Sequence, residues 1–275
     1  MLSSYRPSLN FQNQRGNALF LILIAVALFA ALAYAVTQSG RGNGGINKEQ
    51  SALDASQMTQ YGAEISQAIM RLMLSGGCTA TSLSFDSAAL EALGESVYVR
   101  DAYDIPNQAK DPCAIFYQSG AGVAYQFPPA SVKAAGATEY IITGMMAVAG
   151  VGTTDLVGGN PSTAEILLVV KVPKTLCLAV NTANGITNPS GDAPTHLGGN
   201  GMFTFPPDNA HVYGWWWEPS EGGAGIGGFP PGIWDTIGQG NSGGTDTVLA
   251  GQSVGCYKED AVSHEYYFYQ VLLAR

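Results

Sequence analysis

The chain has 275 residues, of which 46% are hydrophobic and only 12% charged, about half the charged share usual for soluble domains. Its formal net charge is −9, from 12 Lys+Arg against 21 Asp+Glu, and no two basic residues are adjacent, a balance that repels phosphate backbones and argues against nucleic acid as a partner. The 35 glycines, many in the C-terminal third, favour long loops over a coiled coil or a helical bundle.

The first element is an uncharged run, Ala18 to Val36 (ALFLILIAVALFAALAYAV). As a helix, such a run rises roughly 28 Å, close to the hydrocarbon thickness of a bilayer. An uninterrupted helix also satisfies every backbone group in lipid. Arg6 and Arg15 precede it with no acidic residue, so the leader is expected to stay cytoplasmic and the rest of the chain to be exported. Three readings compete. Ala33-Tyr34-Ala35 supplies a secretory cleavage site before Val36, whereas a plain uncleaved anchor needs nothing further. The third reading rests on the junction itself, where Gln14-Arg15-Gly16 directly precedes the apolar run.

That junction resembles the class III leader of type IV pilins and of type II secretion minor pseudopilins. The resemblance implies cleavage by a prepilin peptidase on the cytoplasmic side. Arg15 would be the basic residue before the cut, Gly16 the last leader residue and Asn17 the N-methylated mature N-terminus. It divides the chain into a leader (1–16), a transmembrane helix (17–39), a Gly-rich hinge (40–45) and an exported α+β head (46–275). The family usually carries glutamate at the fifth mature position, and here that residue is Leu21; Asn17 replaces the usual phenylalanine or methionine. In filaments that carboxylate neutralises a neighbour's N-terminal amine within an apolar core, where an unpaired charge is costly. A subunit lacking it belongs where no such neighbour exists, at a filament tip. Loss of Arg6 and Arg15 with the leader would take the formal charge from −9 to −11.

Glycine costs about 1 kcal/mol against alanine inside a helix, so Gly40 to Gly45 (GRGNGG) is expected to interrupt it. A second helix is predicted from Ile46 to Leu74, with Met58, Tyr61, Ile65, Ile69 and Leu72 in one apolar stripe and Gly76-Gly77 as its stop. Strand signals follow. Ala114 to Phe127 reads as a hairpin with a glycine-bearing turn, and Glu139 to Ala149 and Glu165 to Val172 as strands. Lys174 to Asn184 reads as a short helix closing at Asn184-Gly185, and Glu265 to Leu273 as a final strand. Between them, Asn188 to Gly255 is a Gly-rich insertion with one or two short strands expected inside it. The fold class expected is therefore α+β: a long N-terminal helix, membrane half plus amphipathic half, packed on an antiparallel sheet.

Four cysteines, Cys78, Cys113, Cys177 and Cys256, lack zinc-site spacing. An even count outside the cytoplasm reads as two disulfides with three possible connectivities, of which the local pairs Cys78–Cys113 and Cys177–Cys256 are favoured over free buried thiols. Gly223 to Gly228 and Gly40 to Gly45 both match G-x-G-x-x-G, but neither follows a strand and opens a helix, as the dinucleotide mechanism requires. His196, His211 and His264 are isolated, with no metal spacing and no nucleophile elbow, so each reads as a lone histidine. Asp101 and Asp104 beside Arg100 are too few oxygens for a calcium site.

The best surface candidate is Tyr213 to Trp217 (YGWWW). In a strand, Trp215, Trp216 and Trp217 cannot all face one core, so at least one is expected to be exposed or covered by a partner. A satellite core under the insertion and a glycan-stacking platform are the alternatives. Together these features predict a non-enzymatic subunit with no cofactor and no metal. Its predicted partners are the inner membrane, prepilin peptidase and other pilin-like subunits, and its head lies in the periplasm or on an extracellular filament. The alternative is an anchored periplasmic binding or adhesion domain that forms no filament.

Overall fold

The computed structural model describes residues 15–39, 43–85, 87–91, 110–135, 137, 139–144, 146–153, 165–196, 235–240, 244–259 and 264–275. Two helices come first, α1 (Arg15–Ser39) and α2 (Asn43–Ser75). The chain divides into two compact units, Met1–Asn47 and Lys48–Arg275, so α1 belongs to the first and all but the first turn of α2 to the second.

In α2 the predicted stripe is the buried one: Met58, Tyr61, Ile65, Ile69 and Leu72 all face the core. The spacing of three and four residues puts them on one side of the helix. Gln57, Gln60, Glu64 and Gln67 take the solvent side. The helix ends where Gly76 and Cys78 both donate backbone N–H to Leu72 O, and Gly77 sits at φ +70°, a left-handed conformation that glycine adopts without strain.

After α2 comes a single turn, α3 (Ala88–Glu91), and then the strands β1 (Ile141–Thr143), β2 (Met146–Val148) and β3 (Ile166–Val172). The next elements are α4 (Lys174–Ala183), β4 (Thr195–His196), β5 (Asp235–Ile237), β6 (Val254–Glu259) and β7 (Tyr266–Leu273). Five strands form one sheet in the order β1-β3-β7-β6-β4, and β2 pairs with β5 in a second sheet. The central strands β3 and β7 are antiparallel, with Val169 opposite Tyr269 and Val172 opposite Tyr266. Both are covered on two faces, which is why their sequences are nearly unbroken apolar runs.

The register assigns the two faces. Val254 lies opposite Gln270 and Cys256 opposite Phe268, so Cys256 and Gln270 project from the same side. That side carries α2, through Gln270 Nε2 donating to Thr59 O, and α4, through the Cys177–Cys256 disulfide. Tyr257 and Tyr267 project from the opposite side and stack with ring centroids 5.7 Å apart.

Several expectations are corrected. The single long N-terminal helix, half in a membrane and half on an antiparallel sheet, is not found. The helical residues form two separate helices, and among the described residues no helix is long and apolar enough to cross a membrane. The longer helix, α2, is amphipathic, with its apolar stripe in the core and Gln57, Gln60, Glu64 and Gln67 toward solvent. The sheet is mixed, since β4 runs parallel to β6, and the second sheet is parallel throughout. Gly44 and Gly45, placed in the hinge by the sequence, lie inside α2.

Ala114 to Phe127 forms no two-stranded ladder. The chain coils instead, with Ala121 N donating to Ala114 O and Val123 N to Ile115 O, and a Cβ at Gly120 would overlap the Ala114 backbone. The run from Glu139 to Ala149 is two three-residue strands, not one, and they join different sheets. Cys256 lies within a strand of its own, β6, which precedes β7.

Candidate functional site

Two disulfides staple the second unit. Cys78–Cys113 closes the end of α2 onto the coiled segment after residue 110, across a sequence separation of 35. Cys177–Cys256 joins α4 to β6 across 79 residues, and both of its sulfurs are buried. Beside the second staple, the Asn181 carboxamide grips β6 twice: Asn181 Nδ2 donates to Cys256 O and Cys256 N donates to Asn181 Oδ1, each at 2.9 Å. Cys256 turns its N–H and C=O away from β7 here, so the side chain of Asn181 takes the place of a neighbouring strand.

Charge gathers at one end of the sheet. Asp192 Oδ1 accepts from Lys174 Nζ at 3.0 Å, Tyr266 Oη at 3.0 Å and the Ala193 amide at 2.9 Å, with Lys258 Nζ 3.9 Å from Oδ2. Burial works to raise the Asp192 carboxyl, but the bonds from Lys174, Tyr266 and Ala193 outweigh it and hold the group below the ordinary carboxylate range. Nearby, Lys171 pairs with Glu265, whose other oxygen accepts from Tyr267 Oη. These bonds fix the starts of α4 and β7 against β6 and form a surface ionic network.

The most enclosed acid–base pair among the described residues includes a histidine that the sequence presents as isolated. His196, only 3% exposed, lies on β4 with Nδ1 2.7 Å from Asp246 Oδ2. Its ring meets Tyr257 edge-on, with centroids 5.1 Å apart. Asp246, 1% exposed, opens a 3-10 turn (Asp246–Leu249) and also accepts from the amides of Gly238 and Gly240, each at 2.9 Å. The two partners are 50 residues apart along the chain, so no local pattern announces them. His264 is exposed and has φ +53°.

The opposite extreme is α1. Every residue from Phe20 to Tyr34 is exposed, and the stretch includes Phe20, Leu21, Ile22, Leu23, Val26, Leu28, Phe29 and Leu32 without one charge. Exposed contiguous apolar area of this kind marks a surface that something covers. Arg15, Gly16 and Asn17, the predicted processing residues, form the first turn of the same helix. The candidate interface Tyr213, Trp215, Trp216 and Trp217 lies outside the described residues, as do His211, Arg100, Asp101, Asp104 and the glycine run from Gly223 to Gly228. No family model, no curated protein and no solved structure matches this chain.

Proposed function

We propose that the chain is a non-enzymatic, pilin-like minor subunit of a type IV filament or type II secretion-like assembly. In this reading α1 is an assembly element and the stapled unit is its exported head. The carrying observation is the uninterrupted, uncharged exposure of α1 from Phe20 to Tyr34. Helices of like subunits are the occupants best matched to it, because packing helix on helix buries an all-apolar surface and asks for no charge partner. The two disulfides support the exported location, since such bonds persist in oxidising compartments and are rare in the cytosol. Leu21, standing where the resembled family carries glutamate, favours a terminal place in such an assembly.

Mass spectrometry of the protein from its native host tests the processing step. A mature N-terminus at Asn17 is the expected result. An intact Met1 favours the second reading, an anchored periplasmic binding or adhesion domain, and a terminus at Val36 favours a cleaved secretory signal. A photo-crosslinker in place of Phe29, 74% exposed on α1, tests the assembly step. Crosslinks to like subunits are expected, and their complete absence in cells sinks the proposal.

A further inference from the structure

We propose that Asp246 is a releasable clasp: its single carboxylate holds edge strand β4 and the turn after β5 together, and neutralising it frees both as one local opening unit while β3, β7 and β6 stay paired. This inference stands apart from the assembly reading and rests only on the second unit.

The geometry is that of a node. Asp246 Oδ2 takes His196 Nδ1 at 2.7 Å and Gly238 N at 2.9 Å, and Oδ1 takes Gly240 N at 2.9 Å. His196 is 50 residues away along the chain and Gly238 only 8, so one side chain ties two distant stretches. Its neighbour Thr245 adds a second grip on β4, because Thr195 N donates to Thr245 Oγ1 at 2.8 Å and Thr245 N donates to Thr195 O at 2.9 Å. The strand β4 is two residues long, pairs with Lys258 and Glu259, and shares with Pro194 the job of capping the β6 edge, where Lys258 N donates to Pro194 O.

Among the described residues, the titratable groups around the node are His196 from β4, Tyr257 and Glu259 from β6, and Tyr269 from β7. An ionised carboxylate can only accept, so His196 Nδ1 must carry the hydrogen in either charge state of the ring. The clasp therefore survives titration of the imidazole and opens on the carboxylate alone. Burial works to raise the Asp246 carboxyl, but the His196 bond and the Gly238 and Gly240 amides outweigh it and hold the group below the ordinary range. Its folded value lies below the unfolded one, so its contribution is complete above about pH 3.9 and disappears as pH falls through the lower folded value.

Amide hydrogen exchange on the full chain tests the clasp. With Asp246→Ala at pH 7, Gly238 and Gly240 lose their acceptor whether or not the clasp exists. The informative amides are Thr195, Thr245 and Lys258, which do not bond to Asp246. They are expected to exchange on the order of 10-fold faster together, with 167–170 and 267–269 unchanged. Faster exchange confined to Gly238 and Gly240 overturns the proposal, and so does a loss of protection across all strands. Should the variant not fold, the wild-type protein scanned from pH 6 to 2.5, with intrinsic rates corrected, gives the same decision. The five amides must lose protection ahead of β3 and β7; simultaneous loss refutes the clasp.

Discussion

At Gly62 the backbone of α2 comes so close to β7 that an added Cβ would overlap the carboxamide of Gln270. Gln270 is buried, donates to Thr59 O at 3.3 Å and leaves Oε1 without a partner among the described residues. Two effects of Gly62→Ala then compete. Alanine gains about 1 kcal/mol of helix propensity, whereas overpacking a filled site costs about 1–3 kcal/mol. The steric cost wins because Gln270 is buried and would give up its bond to Thr59 O in moving away. Gly62→Ala should lower stability by about 1 kcal/mol, read as a lower urea midpoint at constant slope. The pair Gly62→Ala/Gln270→Ala should recover most of that loss, because the truncated side chain vacates the space. A double-mutant cycle with no coupling would show that the contact carries no strain.

The union of α4 with β6 depends on two devices of different kinds. The Cys177–Cys256 bond acts mainly on the unfolded chain, and closing a loop of 79 residues is worth about 4.5 kcal/mol in the chain-entropy model. Asn181 acts on the folded state, where it satisfies both polar groups of Cys256. Asn181→Ala should cost about 2–4 kcal/mol, since it orphans a buried donor and a buried acceptor. Asn181→Asp should be at least as costly, because a carboxylate repels Cys256 O and donates nothing. Thermal denaturation of both variants, with the disulfide intact, checks the order; an aspartate variant as stable as wild type refutes the amide's role.

At this same scale the sequence was legible where burial wrote a long pattern. The stripe Met58–Leu72 of α2 and the apolar runs of β3 and β7 are faces or whole strands inside the core, so hydrophobic residues recur at helical spacing or without a break. Other elements were set by partners far along the chain. Val254–Glu259 contains glycine, lysine and glutamate and becomes a strand because β7 and Asn181 supply its hydrogen bonds. The apolar run through Ile141 and Val148 is continuous in hydrophobicity, and periodicity does not reveal that its halves join different sheets. His196 and Asp246 met only through the fold, which is why a lone histidine concealed the most buried acid–base pair among the described residues.

For the whole molecule the decisive contrast is between its two units. Residues 1–47 hold Arg6, Arg15 and Arg41 with no acid, a charge of +3; the other nine basic and 21 acidic residues leave 48–275 at −12. Copies of the second unit repel one another, and that repulsion is screened within a Debye length of about 10 Å at 0.1 M salt. The exposed apolar surface of α1 attracts its like without charge, and salts excluded from protein surfaces strengthen that attraction. Both effects point the same way, so self-association of the full chain should rise with ionic strength, whereas residues 48–275 produced alone with disulfides formed should remain monomeric at every salt concentration. Analytical ultracentrifugation of both forms in detergent-free buffer, from about 10 mM to 500 mM sodium sulfate, measures this directly. Assembly that weakens as salt is added would mean that copies meet through ion pairs, moving the contact from the apolar helix to the charged unit.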